Sequence, residues 1–156
     1  MATTRSDKAV ELFKQGYNCS QSVFAAFADL YGMDQETALR VSSSFGGGMG
    51  RMREVCGSVS GMFMVAGMET GATEGRDIEG KKHNYDVVQQ LAAQFKETNH
   101  TIICRELLGL DTKNNTDTRP EARTAEYYKK RPCAELIRQS AEIIENYLRE
   151  NTDKVL

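Results

Sequence analysis

The sequence predicts an all-α fold, a single-domain bundle of about seven or eight helices that spans residues 1–156. Apolar residues recur at helical spacing along nearly the whole chain, and no segment shows the alternation of a half-buried strand. The chain has only 2 Pro and no Trp, a composition that suits long helices better than a turn-rich sandwich. Its 156 residues are also enough to bury a core without disulfide or metal support.

Four helices are predicted in the N-terminal half of the chain, over residues 6–15, 18–31, 34–45 and about 52–68. Gly16 and Gly32 are expected to end the first two, because glycine readily takes the left-handed conformation that follows a helix. Asn18 and Gln21 have the spacing of a capping box, which marks the start of the second helix. A glycine-rich break separates the third helix from the fourth.

Four more helices are predicted in the C-terminal half, over residues 79–98, 99–108, 120–130 and 132–150, with a polar loop at 111–118. The second of these begins at Asn99, so Cys104 is expected in mid-helix, four residues after His100 and on the same face. Pro132 has the first-turn position that suits proline. The basic tract 129–131 is interpreted as a solvated helix end.

Charge and hydropathy exclude several classes of protein. Lys plus Arg is 20 and Asp plus Glu is 22, so the net charge of −2 argues against a general nucleic-acid binder. The longest mostly apolar run, residues 59–68, is far short of the roughly 20 residues that cross a bilayer, so we expect no membrane insertion. The N-terminus lacks the apolar core of a signal peptide. We therefore expect a cytoplasmic protein, whose cysteines are reduced at rest.

The cysteines are the residues that most clearly need a chemical explanation. They are Cys19, Cys56, Cys104 and Cys133, and none belongs to a Cys-x-x-Cys pair. The spacings of zinc ribbons, thioredoxins and ferredoxins are therefore absent. All but Cys104 fall in a predicted first helical turn, where backbone N–H groups and the helix dipole favour the reactive thiolate.

The residues around the cysteines resemble a known family. Residues 45–61, FGGGMGRMREVCGSVSG, are similar to the signature of the C_GCAxxG_C_C family of bacterial and archaeal proteins, to which a redox role is ascribed. GYNCSQ at 16–21, CRELLG at 104–109 and Cys133 fit the same pattern, so the resemblance extends over about residues 9–144. Ser58 departs from the alanine that is usual in the motif. The resemblance implies four functional cysteines and a redox role, but no settled reaction.

Three hypotheses about function remain open. Soft thiolates select zinc or an Fe–S cluster, and a cluster takes four such ligands, so the first is electron transfer or redox sensing by a cluster on all four cysteines. The second is a thiol–disulfide oxidoreductase without a cofactor, with Cys56 as nucleophile and Cys19 as its resolving cysteine. The third is a non-catalytic zinc or partner-binding module, with His100 and Cys104 as alternative zinc ligands. The cluster is narrowly favoured over the disulfide, and zinc is less favoured.

Two groups of glycines are candidates for contact with a cofactor. Gly57 and Gly61 are four residues apart, so they allow either a helix or a cofactor to approach the backbone closely. The loop glycines Gly46, Gly47, Gly48 and Gly50 present N–H groups that could bind an anion with help from Arg51 and Arg53, although a turn that shapes the Cys56 site is favoured. We expect a redox partner protein of unknown identity. The sequence does not decide whether the protein forms a homodimer.

Overall fold

The computed structural model describes residues 4–109 and 117–156, and within them the all-α prediction is confirmed. Eight regular α-helices follow one another within these ranges, apart from the turn Gly46–Met49, whose interior is left-handed: α1 (Arg5–Lys14), α2 (Cys19–Ala25), α3 (Gln35–Ser42), α4 (Gly57–Thr70), α5 (Ile78–Asn99), α6 (Cys104–Leu108), α7 (Ala125–Lys130) and α8 (Cys133–Asn151). Short 3₁₀ helices, Ala28–Tyr31 and Ser43–Phe45, follow α2 and α3 and occupy the ends of the longer helices predicted there. In these ranges no helix combines the length and apolar character needed to span a bilayer.

The start of α2 is fixed by the predicted capping box. The Asn18 side chain accepts a hydrogen bond from the Gln21 N–H at 3.0 Å, and the Gln21 side chain accepts one from the Asn18 N–H at 3.0 Å. Both bonds satisfy N–H groups that a helix leaves without partners in its first turn. Cys19 is therefore the first residue of α2, as the sequence predicts.

Helix α4 lies at the centre of the fold and packs against α2, α5 and α8. The close approach of α2 depends on Gly61, where an added Cβ would lie 2.9 Å from both the Ser20 carbonyl oxygen and the Val23 Cβ. Gly61 thus serves helix packing. Helix α8 covers another side of the core with an apolar stripe, in which Ile137 and Ile144 are fully buried.

The helix predicted from about Met52 begins later, at Gly57, so Cys56 caps α4 instead of lying within its first turn. The preceding residues are held in an extended pairing with the segment before α6. The Cys56 N–H donates to the Ile102 carbonyl at 2.7 Å, and the Cys104 N–H donates to the Glu54 carbonyl at 2.6 Å. These bonds join segments that are far apart in sequence, so a local helical pattern could not reveal them.

The prediction that a helix begins at Asn99 is also wrong. Helix α5 continues to Asn99 and ends at His100, which has a left-handed φ of 68°. Cys104 is consequently the first residue of α6 and not a mid-helix residue. His100 and Cys104 belong to different elements, so the helical spacing on which the alternative zinc pair depended is absent.

Helix α7 begins at Ala125 and not at the predicted residue 120. The Thr124 side chain caps it by accepting a hydrogen bond from the Tyr127 N–H at 3.2 Å. The segment before it is not helical, and its side chains contribute to the cavity described below. Of the polar loop predicted at 111–118, residues 111–116 lie outside the described part of the chain.

Candidate functional site

All four cysteines line one cavity of about 340 Å³. Each stands at the N-terminal end of a different helix: Cys19 begins α2, Cys56 caps α4, Cys104 begins α6 and Cys133 begins α8. Cys19 is half-buried and the other three are buried, and all four are free thiols. The exposed residues Thr118, Pro120 and Glu121 also line the cavity and form part of its rim.

One wall of the cavity is a left-handed turn that starts at Gly46. Five consecutive residues have positive φ: Gly47 at 68°, Gly48 at 71°, Met49 at 67°, Gly50 at 59° and Arg51 at 66°. Glycine takes this conformation without steric cost, which is why the turn is glycine-rich. The turn closes through backbone bonds to the strand-like segment that follows, such as Glu54 N–H to the Gly48 carbonyl at 2.9 Å.

Two glycines make room for cysteine side chains. A Cβ on Gly48 would lie 2.6 Å from the Cys104 Cβ, and a Cβ on Gly57 would lie 2.9 Å from the Cys19 Cβ. Real Cβ atoms do not approach so closely, so neither position accepts a side chain without movement of its neighbours. These glycines therefore let the thiols and the turn share one small cavity.

The predicted glycine candidates divide by position. Gly46, Gly47, Gly48, Gly50 and Gly57 line the cavity. Gly61 is not among its lining residues and instead packs against α2.

The Cys19 and Cys133 thiols are close neighbours in the cavity, and each changes the pKa of the other. Hydrogen bonding with the Cys19 thiol lowers the pKa of Cys133 to about 7, against the effect of burial, and Arg131, the Tyr127 hydroxyl and Arg123 act in the same direction. Interaction with Cys133, together with burial, raises the pKa of Cys19 well above its usual value. The surroundings of the pair therefore favour the thiolate at Cys133 and the thiol at Cys19.

Cys56 and Cys104 are in a different electrostatic environment. Burial raises the pKa of Cys56 to about 11, and the Ser58 hydroxyl at 3.1 Å from its sulfur opposes this only in part. Burial also raises the pKa of Cys104, although the Arg53 guanidinium at 3.9 Å from its sulfur acts in the opposite direction. Both residues are thus thiols at neutral pH.

Four arginines line the cavity, Arg51, Arg53, Arg123 and Arg131, with Glu121 as the one carboxylate among the described lining residues. Arg51 and Arg53 are predicted from the sequence as cavity residues, whereas Arg123 and Arg131 are not. The interpretation of Arg131 as part of a solvated helix end is wrong, since its side chain is only 14% exposed. Its position two residues before Cys133 was the available signal.

Thiolates are the ligands that Fe–S clusters and zinc take, and all four cysteines line one cavity. In residues 4–109 and 117–156, however, no group of three or more His, Cys, Asp or Glu side chains is arranged to hold a metal ion. The structure thus brings the four predicted ligands to one cavity, with Cys19 and Cys133 as close neighbours, without the arrangement of a metal site.

A family-wide sequence profile described as "Putative redox-active protein (C_GCAxxG_C_C)" matches residues 17–147, which is well over half of the 156-residue chain. The chain belongs to this family. The match includes all four cysteines, and it confirms the resemblance seen in the sequence over nearly the expected range. No curated protein and no solved structure shows a match to the chain. The family description thus ascribes a redox role to proteins of this kind and names no reaction.

Proposed function

We propose that this C_GCAxxG_C_C protein is a thiol–disulfide redox protein in which Cys133 and Cys19 are the reactive pair. The observation that carries the proposal is that the two cysteines are close neighbours inside one arginine-lined cavity. The sequence narrowly favoured the cluster, and its thiol–disulfide alternative used Cys56 as nucleophile with Cys19 as the resolving cysteine. The nucleophile is moved to Cys133 because Cys56 is buried beside a neutral hydroxyl, whereas Arg131 and Arg123 stand near Cys133.

The reaction proceeds by two exchanges. The Cys133 thiolate attacks one sulfur of a substrate disulfide, the substrate S–S bond breaks, and the first substrate thiolate leaves and takes a proton from solvent. Cys19 then gives its proton to solvent and attacks the Cys133 sulfur, which releases the second substrate thiolate, protonated in turn. The protein ends with a Cys19–Cys133 disulfide, and the substrate gains two electrons and two protons.

The surroundings of Cys133 support its role as nucleophile. It begins α8, a helix of 19 residues, whose dipole and free N–H groups stabilise negative charge at this end. Arg131 lies two residues before it, and both Arg131 and the Tyr127 hydroxyl lower the pKa of its thiol. A thiolate that persists at neutral pH is the form that attacks disulfides.

Disulfide mapping after mild oxidation tests the proposal. The full chain, reduced and then treated with a small disulfide, should form a Cys19–Cys133 bond that peptide mass spectrometry identifies. Cys19→Ser should instead accumulate a mixed disulfide on Cys133, and the matched control Cys56→Ser should behave like the natural chain. Formation of no intramolecular disulfide, or of a Cys56–Cys104 bond alone, would overturn the assignment.

An Fe–S cluster is the second candidate, favoured by one observation: all four cysteines line the same cavity, although their thiols would have to move together to hold a cluster. Cys19, Cys56, Cys104 and Cys133 would hold it, and the cluster would supply one-electron transfer. Protein purified without oxygen should then contain iron and sulfide in near-equal amounts and absorb visible light. Each single Cys→Ser variant should lose that absorbance. Zinc measured on the same sample tests the zinc alternative, for which chelation should unfold the chain.

A further inference from the structure

The cavity is cationic although the chain as a whole is acidic. Four arginines and one glutamate line it, whereas the complete sequence has a net charge of −2. In a partly buried site such charges are less screened than on the surface, so they attract anions more strongly. An excess of positive charge beside reactive sulfurs indicates a negatively charged occupant.

Two of the arginines are not balanced by a carboxylate. Arg131 forms an ion pair with Glu121, and Arg53 lies near the Cys104 sulfur. Arg123 donates to two uncharged groups, the main-chain carbonyls of Phe13 at 2.9 Å and Tyr17 at 3.0 Å. Among the described residues, no carboxylate forms an ion pair with Arg123 or Arg51.

Arg51 is the cavity arginine that has a hydrogen-bond donor without a partner among the described residues. Its Nε atom is buried and has no hydrogen-bond partner in the described part of the chain. Its backbone is held at a φ of 66°, which non-glycine residues rarely adopt. Its side chain lies against Gly47, where a Cβ would come 2.7 Å from the Arg51 Cγ. The turn thus holds a guanidinium at the cavity wall with a donor left free.

We propose that the thiol pair acts on a small disulfide that carries a carboxylate, and that Arg51 and Arg123 bind this carboxylate. The inference rests on the proposed function and names the substrate class of the same cavity. A volume of about 340 Å³ matches a small-molecule site. Guanidinium groups are suited to carboxylates because they donate two parallel hydrogen bonds. The carboxylate would thereby hold the substrate S–S bond near Cys133.

Two disulfides of similar size but different charge test the inference. The reduced full chain is reacted with 3,3′-dithiodipropionate, which carries two carboxylates, and with neutral 2-hydroxyethyl disulfide. The ratio of the two rate constants is divided by the ratio for a simple thiol, which removes intrinsic reactivity. We expect this normalised preference for the anion to be about tenfold, equivalent to one good charged contact. Added salt should reduce it.

Variants assign the preference to the cavity. Arg51→Gln should remove most of the preference, and Arg51→Lys should restore part of it. Arg76→Gln is the matched control, because Arg76 is exposed and does not line the cavity. A normalised ratio near one in the natural chain, or the same ratio in Arg51→Gln and Arg76→Gln, would overturn the inference while leaving the thiol–disulfide function standing.

Alkylation distinguishes failure of the inference from failure of the function. Iodoacetate and iodoacetamide differ in charge and modify the same thiolate, so their rate ratio at Cys133, measured by peptide mass spectrometry, reports anion binding without disulfide exchange. If the chain reacts with neither disulfide, the proposed function fails. In that case the ratio of the iodoacetate rate to the iodoacetamide rate, divided by the same ratio for a simple thiol, decides about the anion site. A ratio well above one that is lost in Arg51→Gln supports the site, and a ratio near one in the natural chain rejects it.

Discussion

The Ser58 hydroxyl lies 3.1 Å from the Cys56 sulfur, and Ser140 of α8 donates a hydrogen bond to the same hydroxyl at 3.1 Å. The position at which the chain departs from the family motif is therefore linked to a cavity cysteine and to a neighbouring helix. All three side chains are buried. Although serine and alanine are similar in size, the Ser58 hydroxyl interacts with Cys56 and Ser140 in a way that an alanine methyl group could not.

Replacing Ser58 by alanine should lower stability and make Cys56 less reactive. Ser140 would lose its buried acceptor at a cost of about 1 kcal/mol, and the pKa of Cys56 would rise further because the hydroxyl lowers it. Chemical denaturation and the alkylation rate of Cys56 at alkaline pH measure the two effects. Ser60→Ala is the control, because its buried hydroxyl has no partner in the described residues and its loss should cost nothing. Equal effects of the two substitutions would contradict the prediction.

Removing Cys19 should change the pH dependence of Cys133. In the natural chain the alkylation rate of Cys133 should be half-maximal near pH 7, because the Cys19 thiol stabilises the thiolate. In Cys19→Ala the pKa should rise, so the midpoint should move above about pH 8, towards that of a free thiol. Peptide-resolved iodoacetamide kinetics give both midpoints. An unchanged midpoint in Cys19→Ala would show that Arg131, Tyr127 and Arg123 set the pKa without Cys19.

Two glycines of the left-handed turn should differ in their tolerance of alanine. Gly50→Ala meets nothing closer than 3.8 Å, so it should cost only the about 1–2 kcal/mol of a left-handed alanine. Gly48→Ala adds contacts of 2.8 Å with the Arg53 Cα and the Glu54 nitrogen, both of which are backbone atoms. It should cost a further 1–3 kcal/mol, roughly that of overpacking. Comparable unfolding free energies for the two variants would argue against the close packing of this wall.

Two glycines of α4 should respond to alanine with opposite signs. Gly67 has no neighbour within 4 Å of an added Cβ, so Gly67→Ala should stabilise the fold by about 0.5–1 kcal/mol through better helix propensity. Gly61→Ala would press on the Ser20 carbonyl and on Val23, and should destabilise by about 1–3 kcal/mol. Thermal denaturation of both variants checks the signs. A stabilising Gly61→Ala would mean that α2 and α4 are less tightly packed than described.

Local sequence patterns predicted those parts of the fold that depend on local interactions. The capping box of Asn18 and Gln21 is an exchange between residues three apart, and it was predicted correctly. The start of α4 was predicted too early because the left-handed φ of Arg51 and Arg53 leaves no signature in apolar spacing. The start of α6 was missed because the apolar spacing around Cys104 continues across the turn at His100.

The candidate site was predictable only in part for the same reason. The family resemblance indicated that the four cysteines act together, but it did not indicate which two would be in contact. The pairing of Cys19 with Cys133 results from the packing of α2 and α8 at one cavity. The place of Arg131 at that cavity, in the extended backbone between α7 and α8, likewise depends on contacts with residues outside both helices, such as its ion pair with Glu121.

The pairing of Val55 with Ile103 holds one wall of the cavity together through main-chain hydrogen bonds. The Cys56 N–H donates to the Ile102 carbonyl and the Cys104 N–H donates to the Glu54 carbonyl, so either cysteine side chain can be changed without removing these bonds. These two amides should exchange slowly with deuterated solvent, at rates that report opening of the wall. Amide exchange thus separates motion of the polypeptide from the oxidation state of its thiols.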